Sequence, residues 1–301
     1  MGSAVIRWLA ANGHPAVAFA RQALSPPEPA IWRPLAGLEG AQPTVDQFRD
    51  LRSLIHCAAR VHVMRDRAAD PLDAFREINC RGTLRLARSA AAARVEHFIF
   101  VSTIKVMGEQ TTDGKPFRPH DETSPQDPYG ISKAEAEEEL TQLATETGMT
   151  VTIVRPVLVY GPGVRANFAA LAKAARSGLP LPLGNIANQR SFVFVDNLAD
   201  LLGRLSVGKL PGGRIYLPSD GPPVSTRHLV REMARAQGRK ARFFPVPWSL
   251  ANLVAKLTKK DEFLRRMVGN LEVDREHLNA VGWVPPFDLA QGLTRTFAET
   301  R

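Results

Sequence analysis

The sequence predicts an α/β protein, a doubly wound and mainly parallel sheet with a smaller C-terminal lobe. Two observations carry this. Short apolar runs at Ala16–Ala20, Leu54–Ala59, His97–Ser102 and Thr150–Val154 alternate with helical patterns at 3–12, 72–93 and Pro128–Thr147. Parallel strands need a crossover between them, and a helix is the usual one. After about residue 160 the pattern loosens, and proline and glycine punctuate it at Gly161-Pro162-Gly163, Pro180, Pro182, Pro211, Pro222-Pro223 and Pro285-Pro286. The expected division is therefore a sheet-forming region over 1–160 and a lobe over 161–301 with crossover segments back to the sheet.

Each element has a local reason. The first helix aligns Val5, Ile6 and Leu9 on one face and stops at Asn12-Gly13. Residues 25–43 are rich in proline and read as a loop. The helix from Pro128 opens on a proline and closes before Gly148. In the lobe, helical patterns around 167–177, 226–237 and 248–257 alternate with short strands at 191–195 and 214–217.

Bulk composition narrows the function. Hydrophobic residues make up 44% and charged residues 23%, ordinary for a globular enzyme. No stretch approaches the roughly 20 apolar residues of a membrane span, and no signal-peptide pattern is visible. Two cysteines, Cys57 and Cys80, make no disulfide framework, so a reducing cytoplasm is expected. His56, Cys57 and His62 suit no standard metal spacing, so no metal is expected. The net charge of +9 fits nucleic acid, a membrane surface or an anionic small molecule. No nucleic-acid motif accompanies it, which favours a phosphorylated substrate. The basic, amphipathic stretch Trp248 to Met267 reads as a lobe helix with a solvated cationic face.

The strongest chemical signal is Tyr129-Gly-Ile-Ser-Lys133, which puts a phenol and an amine on one face of a helix. An ammonium beside a phenol favours the phenolate and is expected to lower its pKa toward working pH. Such a tyrosine can exchange a proton with a sugar hydroxyl or ketone. The strand Phe98-Ile-Phe-Val-Ser-Thr103 ends in two hydroxyls, at the end where open parallel sheets place ligands. Thr103 is expected to hydrogen-bond the oxygen that Tyr129 titrates.

These residues belong to an ordered series. It runs through His56-Cys-Ala-Ala-Arg60, Asn79-Cys-Arg-Gly-Thr83, Val101-Ser-Thr-Ile-Lys-Val-Met-Gly108 and Asp127-Pro-Tyr-Gly-Ile-Ser-Lys133. It continues through Arg155-Pro-Val-Leu-Val-Tyr-Gly-Pro-Gly163 to Arg190-Ser-Phe-Val-Phe-Val-Asp-Asn-Leu-Ala-Asp200. In this the chain resembles the extended short-chain dehydrogenase/reductases, the NAD-dependent epimerase/dehydratases, which have a Rossmann-like fold. The resemblance implies a catalytic set of Thr103, Tyr129 and Lys133, with Lys133 also on the nicotinamide ribose. It implies Ala58 and Ala59 along the dinucleotide, Ser102 beside it, Asn79 bracing the catalytic helix or a water chain, and backbone at Pro156 and Val157 against the carboxamide. Asn167 and Arg190 match positions that grip a UDP-sugar diphosphate, a task that suits a guanidinium fork. Arg265 or Arg266 would add a second phosphate contact, and Lys105 a charge on the substrate side.

The chain also departs from that pattern. Its opening Met1-Gly-Ser-Ala-Val-Ile resembles the last glycine of the dinucleotide fingerprint, Gly2, and the helix after it. The first strand and two earlier glycines of that pattern are not in the sequence, and we expect the natural chain to begin upstream. At the end of the second strand, Ala20 stands where an acid would bind the ribose 2′-hydroxyl, and Arg21 follows. The expected cofactor is NAD or NADP, with NADP(H) slightly favoured. Met107 stands where many epimerases carry tyrosine. The runs Ile104-Lys-Val, Gly161–Phe168 and Pro180–Ser191 resemble a bacterial subgroup of UDP-glucose 4-epimerase-like proteins that includes 4-keto reductases of surface-polysaccharide synthesis.

The resemblance thus implies oxidation or reduction at C4 of a UDP-linked hexose, by a 4-epimerase or a 4-keto reductase, and leaves a homodimer open. A dehydratase fits less well, because no Asp-Glu pair follows Thr103. The sequence also leaves two other classes open: a non-catalytic NAD(P)-binding redox sensor, and a hydroxysteroid-type dehydrogenase that would need neither Asn167 nor Arg190.

Overall fold

The computed structural model describes residues 1–35, 37–40, 42–61, 70–164, 166–247 and 268–298. Its centre is a parallel four-stranded sheet in the order β3 (Ser53–His56), β4 (His97–Val101), β5 (Thr150–Val154), β9 (Ile215–Tyr216). A second parallel pair joins β1 (Ala16–Ala20) to β2 (Ala30–Pro34). Among the described residues no strand pairs with the remaining edges of β1 and β3.

Both faces of the central sheet are covered, so β4 reads His-Phe-Ile-Phe-Val with no polar alternation. Successive side chains go to opposite faces. Ile99 and Val101 enter one apolar cluster with Val5 and Leu9 of α1 (Gly2–Ala11) and Leu198, Leu201 and Leu205 of α6 (Val195–Ser206). Phe98 and Phe100 enter another with Leu84, Leu86 and Ala87 of α3 (Gly82–Ala92) and Ala136 and Leu140 of α4 (Pro128–Thr147). Helices on both faces of a parallel sheet are the doubly wound architecture expected from the sequence.

A third cluster holds the lobe together. Tyr160 of β6 (Leu158–Tyr160) and Phe194 of β8 (Phe192–Phe194) meet Phe168 of α5 (Ala166–Arg176), Met233 of α7 (Thr226–Ala236) and Leu293 of α9 (Leu289–Ala298). The short pair β7 (Pro180–Leu181) and β10 (Arg242–Phe243) lies at its rim, and α8 (Glu276–Ala280) precedes α9. From within the span assigned to the lobe, α6 and β9 return to the central sheet.

Several elements differ from expectation. The proline-rich 25–43 stretch contains β2, a strand stabilised by its register with β1 from Ala16↔Ala30 to Ala20↔Pro34. The single helix expected over 72–93 is α2 (Pro71–Arg76), a π-helical turn Glu77–Arg81, and α3. The run Ser191–Val195 does not stop as a strand but passes directly into α6. The helix expected at 248–257, and His62, lie outside the described residues.

Candidate active site

The carboxyl ends of β3, β4 and β5 gather the site. The Ser102 amide donates to the Val154 carbonyl (2.7 Å), and the Ile104 amide to the Pro156 carbonyl (3.0 Å). This sets Ser102 and Thr103 beside Pro156 and Val157. Cys57, Ala58 and Ala59 follow β3 at the same end; Ala58 is exposed and Ala59 half-buried.

Helix α4 brings the phenol and the amine. Its N-cap, Asp127, accepts the Gly130 amide at 2.6 Å, with Pro128 in the first turn, and Gly148 ends it at φ 73°. Gly130 has a packing reason. A Cβ there would lie 3.0 Å from the Lys105 carbonyl oxygen and 3.2 Å from Pro125 Cβ, so a larger residue would press α4 a few tenths of an ångström away from the strand end.

Thr103 is the side chain that favours the ionised form of the Tyr129 phenol. The phenol's pKa is nevertheless pushed up to about 12, chiefly by burial and then by the Asp127 charge, with Thr103 opposing. This corrects the expectation that Lys133 lowers it. The Lys133 ammonium is fully buried, lies 3.9 Å over the Phe100 ring, and has no hydrogen-bond partner among the described residues. Burial brings its pKa down to about 7, against the pull of Glu137 and Cys57.

Asn79 braces the helix. Its side chain accepts the Arg60 amide (2.8 Å) and donates to the Arg60 carbonyl (3.1 Å) and to Ser132 Oγ (3.0 Å). The loop after β3 is thereby tied to α4 through a π-helical turn, a form often found at functional sites. Beneath it, Thr83 Oγ1 donates to the Asn79 carbonyl (2.8 Å), so His56 Nε2 is the donor in its 3.1 Å contact with Thr83. His56 is neutral, its pKa pushed down to about 3 by burial and then by Lys133.

The remaining sequence-derived residues fall in different places. Gly2 opens α1, is exposed, and has open space where a Cβ would be, so packing does not require glycine there. Arg21 is exposed just past β1. Asn167 is exposed in the first turn of α5. Arg190 bridges Val224 and Leu271 through its backbone and donates from Nη1 to the Gly269 carbonyl (2.9 Å). Lys105, expected on the substrate, is instead bound to Asp127 and to Glu109 (2.8 Å). Arg265 and Arg266 lie outside the described residues.

Sequence reasoning missed the buried pair behind the site. Arg155 meets Glu137 from both Nε and Nη2, the latter at 2.6 Å. Its signal was available, because Glu137 stands one helical turn after Lys133. Among the described residues no group of three or more His, Cys, Asp or Glu could hold a metal. None of their helices is long and apolar enough to cross a membrane.

Two buried polar atoms, Lys133 Nζ and Ser102 Oγ, stand without hydrogen-bond partners among the described residues at the carboxyl ends of the sheet. Such groups call for a polar ligand, and a nicotinamide ribose fits them. The parallel α/β sheet and this Thr-Tyr-Lys set define an NAD(P)-dependent enzyme.

Residues 1–208 match the NAD dependent epimerase/dehydratase family, and the chain belongs to that family. It is 44% identical over 245 residues to the UDP-glucose 4-epimerase of Vibrio cholerae, covering 81% of this chain and 75% of that protein. Its fold is similar to UDP-glucose 4-epimerase from Thermotoga maritima, solved with UDP-glucose (TM-score 0.75, 21% identity, 99% of this chain and 96% of that one). It is also similar to the Thermus thermophilus UDP-glucose 4-epimerase solved with NAD (TM-score 0.74, 22% identity, 99% and 94%).

Proposed function

We propose that the protein is an NAD(P)-dependent epimerase or 4-keto reductase acting at C4 of a UDP-linked hexose, with Thr103, Tyr129 and Lys133 as its catalytic residues. One observation supports this above the others: a buried Lys133 ammonium with no hydrogen-bond partner among the described residues, one helical turn from Tyr129 on α4 and beside the strand end that carries Thr103. When bound, the nicotinamide supplies the hydride exchange at carbon. The chain's own residues handle the proton. Thr103 donates to the C4 oxygen and fixes its position. Tyr129 removes the hydroxyl proton in the oxidising direction and returns it in the reducing direction. Lys133 holds the ribose through its buried ammonium, which has no hydrogen-bond partner among the described residues.

Asn167 and Arg190 are proposed to hold the diphosphate, and Arg21 to favour NADP(H) by accepting a 2′-phosphate next to Ala20. The 44% identity to a UDP-glucose 4-epimerase supports the sugar-nucleotide reading over a sterol substrate or a non-catalytic sensor.

The test is turnover of UDP-glucose, UDP-GlcNAc and a UDP-4-keto-6-deoxy sugar, with products identified by mass and NMR. UDP-galactose formed without added cofactor identifies the epimerase; stoichiometric NADPH consumption identifies the reductase. Tyr129→Phe should lower turnover at least about 100-fold, the usual worth of a positioned proton-transfer group. Failure with all three sugars, or an unaffected Y129F variant, rejects the reading.

A further inference from the structure

The lysine at the strand end is tied down on both sides. Lys105 Nζ binds Glu109 at 2.8 Å and also the Oδ2 atom of Asp127. The other Asp127 oxygen caps α4 by accepting the Gly130 amide. On its other side the Lys105 amide donates to Thr103 Oγ1 at 3.3 Å. Lys105 therefore joins the strand-end hydroxyl to the first turn of the helix carrying Tyr129, with its side chain only 22% exposed. A surface ion pair contributes little. This one is mostly enclosed, spans two elements, and has a carboxylate that also serves as helix cap.

The other charges near this end of α4 are already engaged. Arg76 of α2 is held by Glu135, and Asp73 and Glu77 are held by Arg81. Arg85 of α3 binds Glu77, Arg88 is exposed, and Arg155 beyond β5 binds Glu137. Arg60 lies over Phe75, whose ring packs against Tyr129. Lys133, one turn along, is stacked on Phe100. Among the described residues, Asp127 is the charge that acts on the Tyr129 phenol, and it disfavours the phenolate.

We propose that Lys105 is a positioning residue, whose ammonium fixes the acidic cap of α4 against the Thr103 strand end and offsets part of the cap's charge beside Tyr129. The proposal rests on the catalytic reading of Tyr129 for its consequence in turnover, though not for its electrostatics. Loss of the ammonium leaves two carboxylates, Asp127 and Glu109, facing the phenol's end of the helix. The phenol then becomes harder to ionise, and the cap is freer to move.

The chain has only three tyrosines, so 3-fluorotyrosine labelling gives a resolvable fluorine spectrum, with Tyr129 assigned from Y129F. Fluorination also brings the titration down into an accessible alkaline range. In the apo protein, Lys105→Met should raise the Tyr129 midpoint by about one pH unit, the usual effect of an unbalanced neighbouring charge. Lys105→Arg should stay near wild type. Asp127→Asn keeps a cap oxygen and removes the charge, so it should lower the midpoint alone and restore it in the K105M background. In turnover, the alkaline pH profile should move in step while KM stays close to wild type. An unmoved midpoint in K105M, or an unmoved midpoint in D127N if K105M does not fold, overturns the proposal. A fluorine shift without a matching shift in the pH profile instead counts against Tyr129 as the proton-transfer group.

Discussion

Trp8 donates its indole N–H to Oδ1 of Asp200 at 3.0 Å, joining the first helix of the chain to α6 across 192 residues of sequence. The second oxygen of that carboxylate accepts Trp283 Nε1 at 2.9 Å, and Arg204 Nε reaches both oxygens. Asp200 is 4% exposed, so its charge is tolerated only because these donors surround it. Gly203, on the same helix, has the Trp8 ring where a Cβ would be, so the indole reaches Asp200 only over a glycine.

Asp200→Ala should therefore destabilise the protein by about 3 kcal/mol, since it strands the buried Trp283 indole donor and the half-buried Trp8 one. Asp200→Asn keeps one acceptor and should cost about half as much. Denaturant unfolding followed by tryptophan fluorescence checks both values. Equal stability in D200A and wild type would mean that the indoles find other partners.

Asn79 makes a second testable brace. Asn79→Ala removes three hydrogen bonds, two to the Arg60 backbone and one to Ser132. The expected loss is about 2 kcal/mol, because the half-buried Arg60 groups and the buried Ser132 hydroxyl lose a partner. Amide hydrogen exchange should speed up in the loop after β3 and in the first turns of α4. Protection unchanged in both places would remove Asn79 from its bracing role.

These contacts show how unevenly the sequence disclosed the molecule. Helix α4 was legible because its signals are local: Pro128 at the start, Asp127 before it, and Gly148 after it. Strand β2 was not, because Pro26, Pro27 and Pro29 read as loop while its stability comes from pairing with β1. Helix α6 was hidden because Phe192-Val-Phe-Val reads as strand and no breaker or side-chain cap separates it from the helix. Within the site, the Tyr129–Lys133 spacing located a shared face, but periodicity does not say where a long side chain ends. Lys133 ends over Phe100, and Lys105 ends on two carboxylates.

Acid should weaken the fold through His277. Its Nε2 accepts the Leu217 amide at 2.9 Å, so its neutral form carries the proton on Nδ1. Burial lowers its pKa to about 4 from 6.5. The unfolded chain therefore takes up the proton first as pH falls. The stabilisation is fully present above 6.5 and is lost as pH drops toward about 4. Asp220 works the other way: its pKa is raised to about 6 by burial, so its contribution is present below 3.8 and lost as pH rises through about 6. His277→Gln keeps an acceptor for Leu217 but cannot titrate. Its urea midpoint should fall less than that of wild type between about pH 6.5 and about pH 4.5. Parallel curves for the two proteins would exclude His277 as a source of acid lability.

The buried Arg155–Glu137 pair gives the largest expected effect. Both side chains are almost fully enclosed, 5% and 6% exposed. Arg155 Nη1 also donates to the Pro119 carbonyl at 3.2 Å and lies 2.8 Å from Met107 Sδ. Glu137→Gln leaves a guanidinium in the interior without its counter-charge, which should cost about 3–5 kcal/mol. Replacing both partners by apolar residues, as in E137L/R155M, removes the desolvation penalty with the attraction and should recover most of that loss. Glu137 also supports the charge on Lys133, so E137Q should push the Lys133 pKa further below about 7. Urea unfolding of the single and double variants separates the two contributions. A double variant no more stable than E137Q would show that shape at this position, rather than charge compensation, decides the stability of the site's foundation.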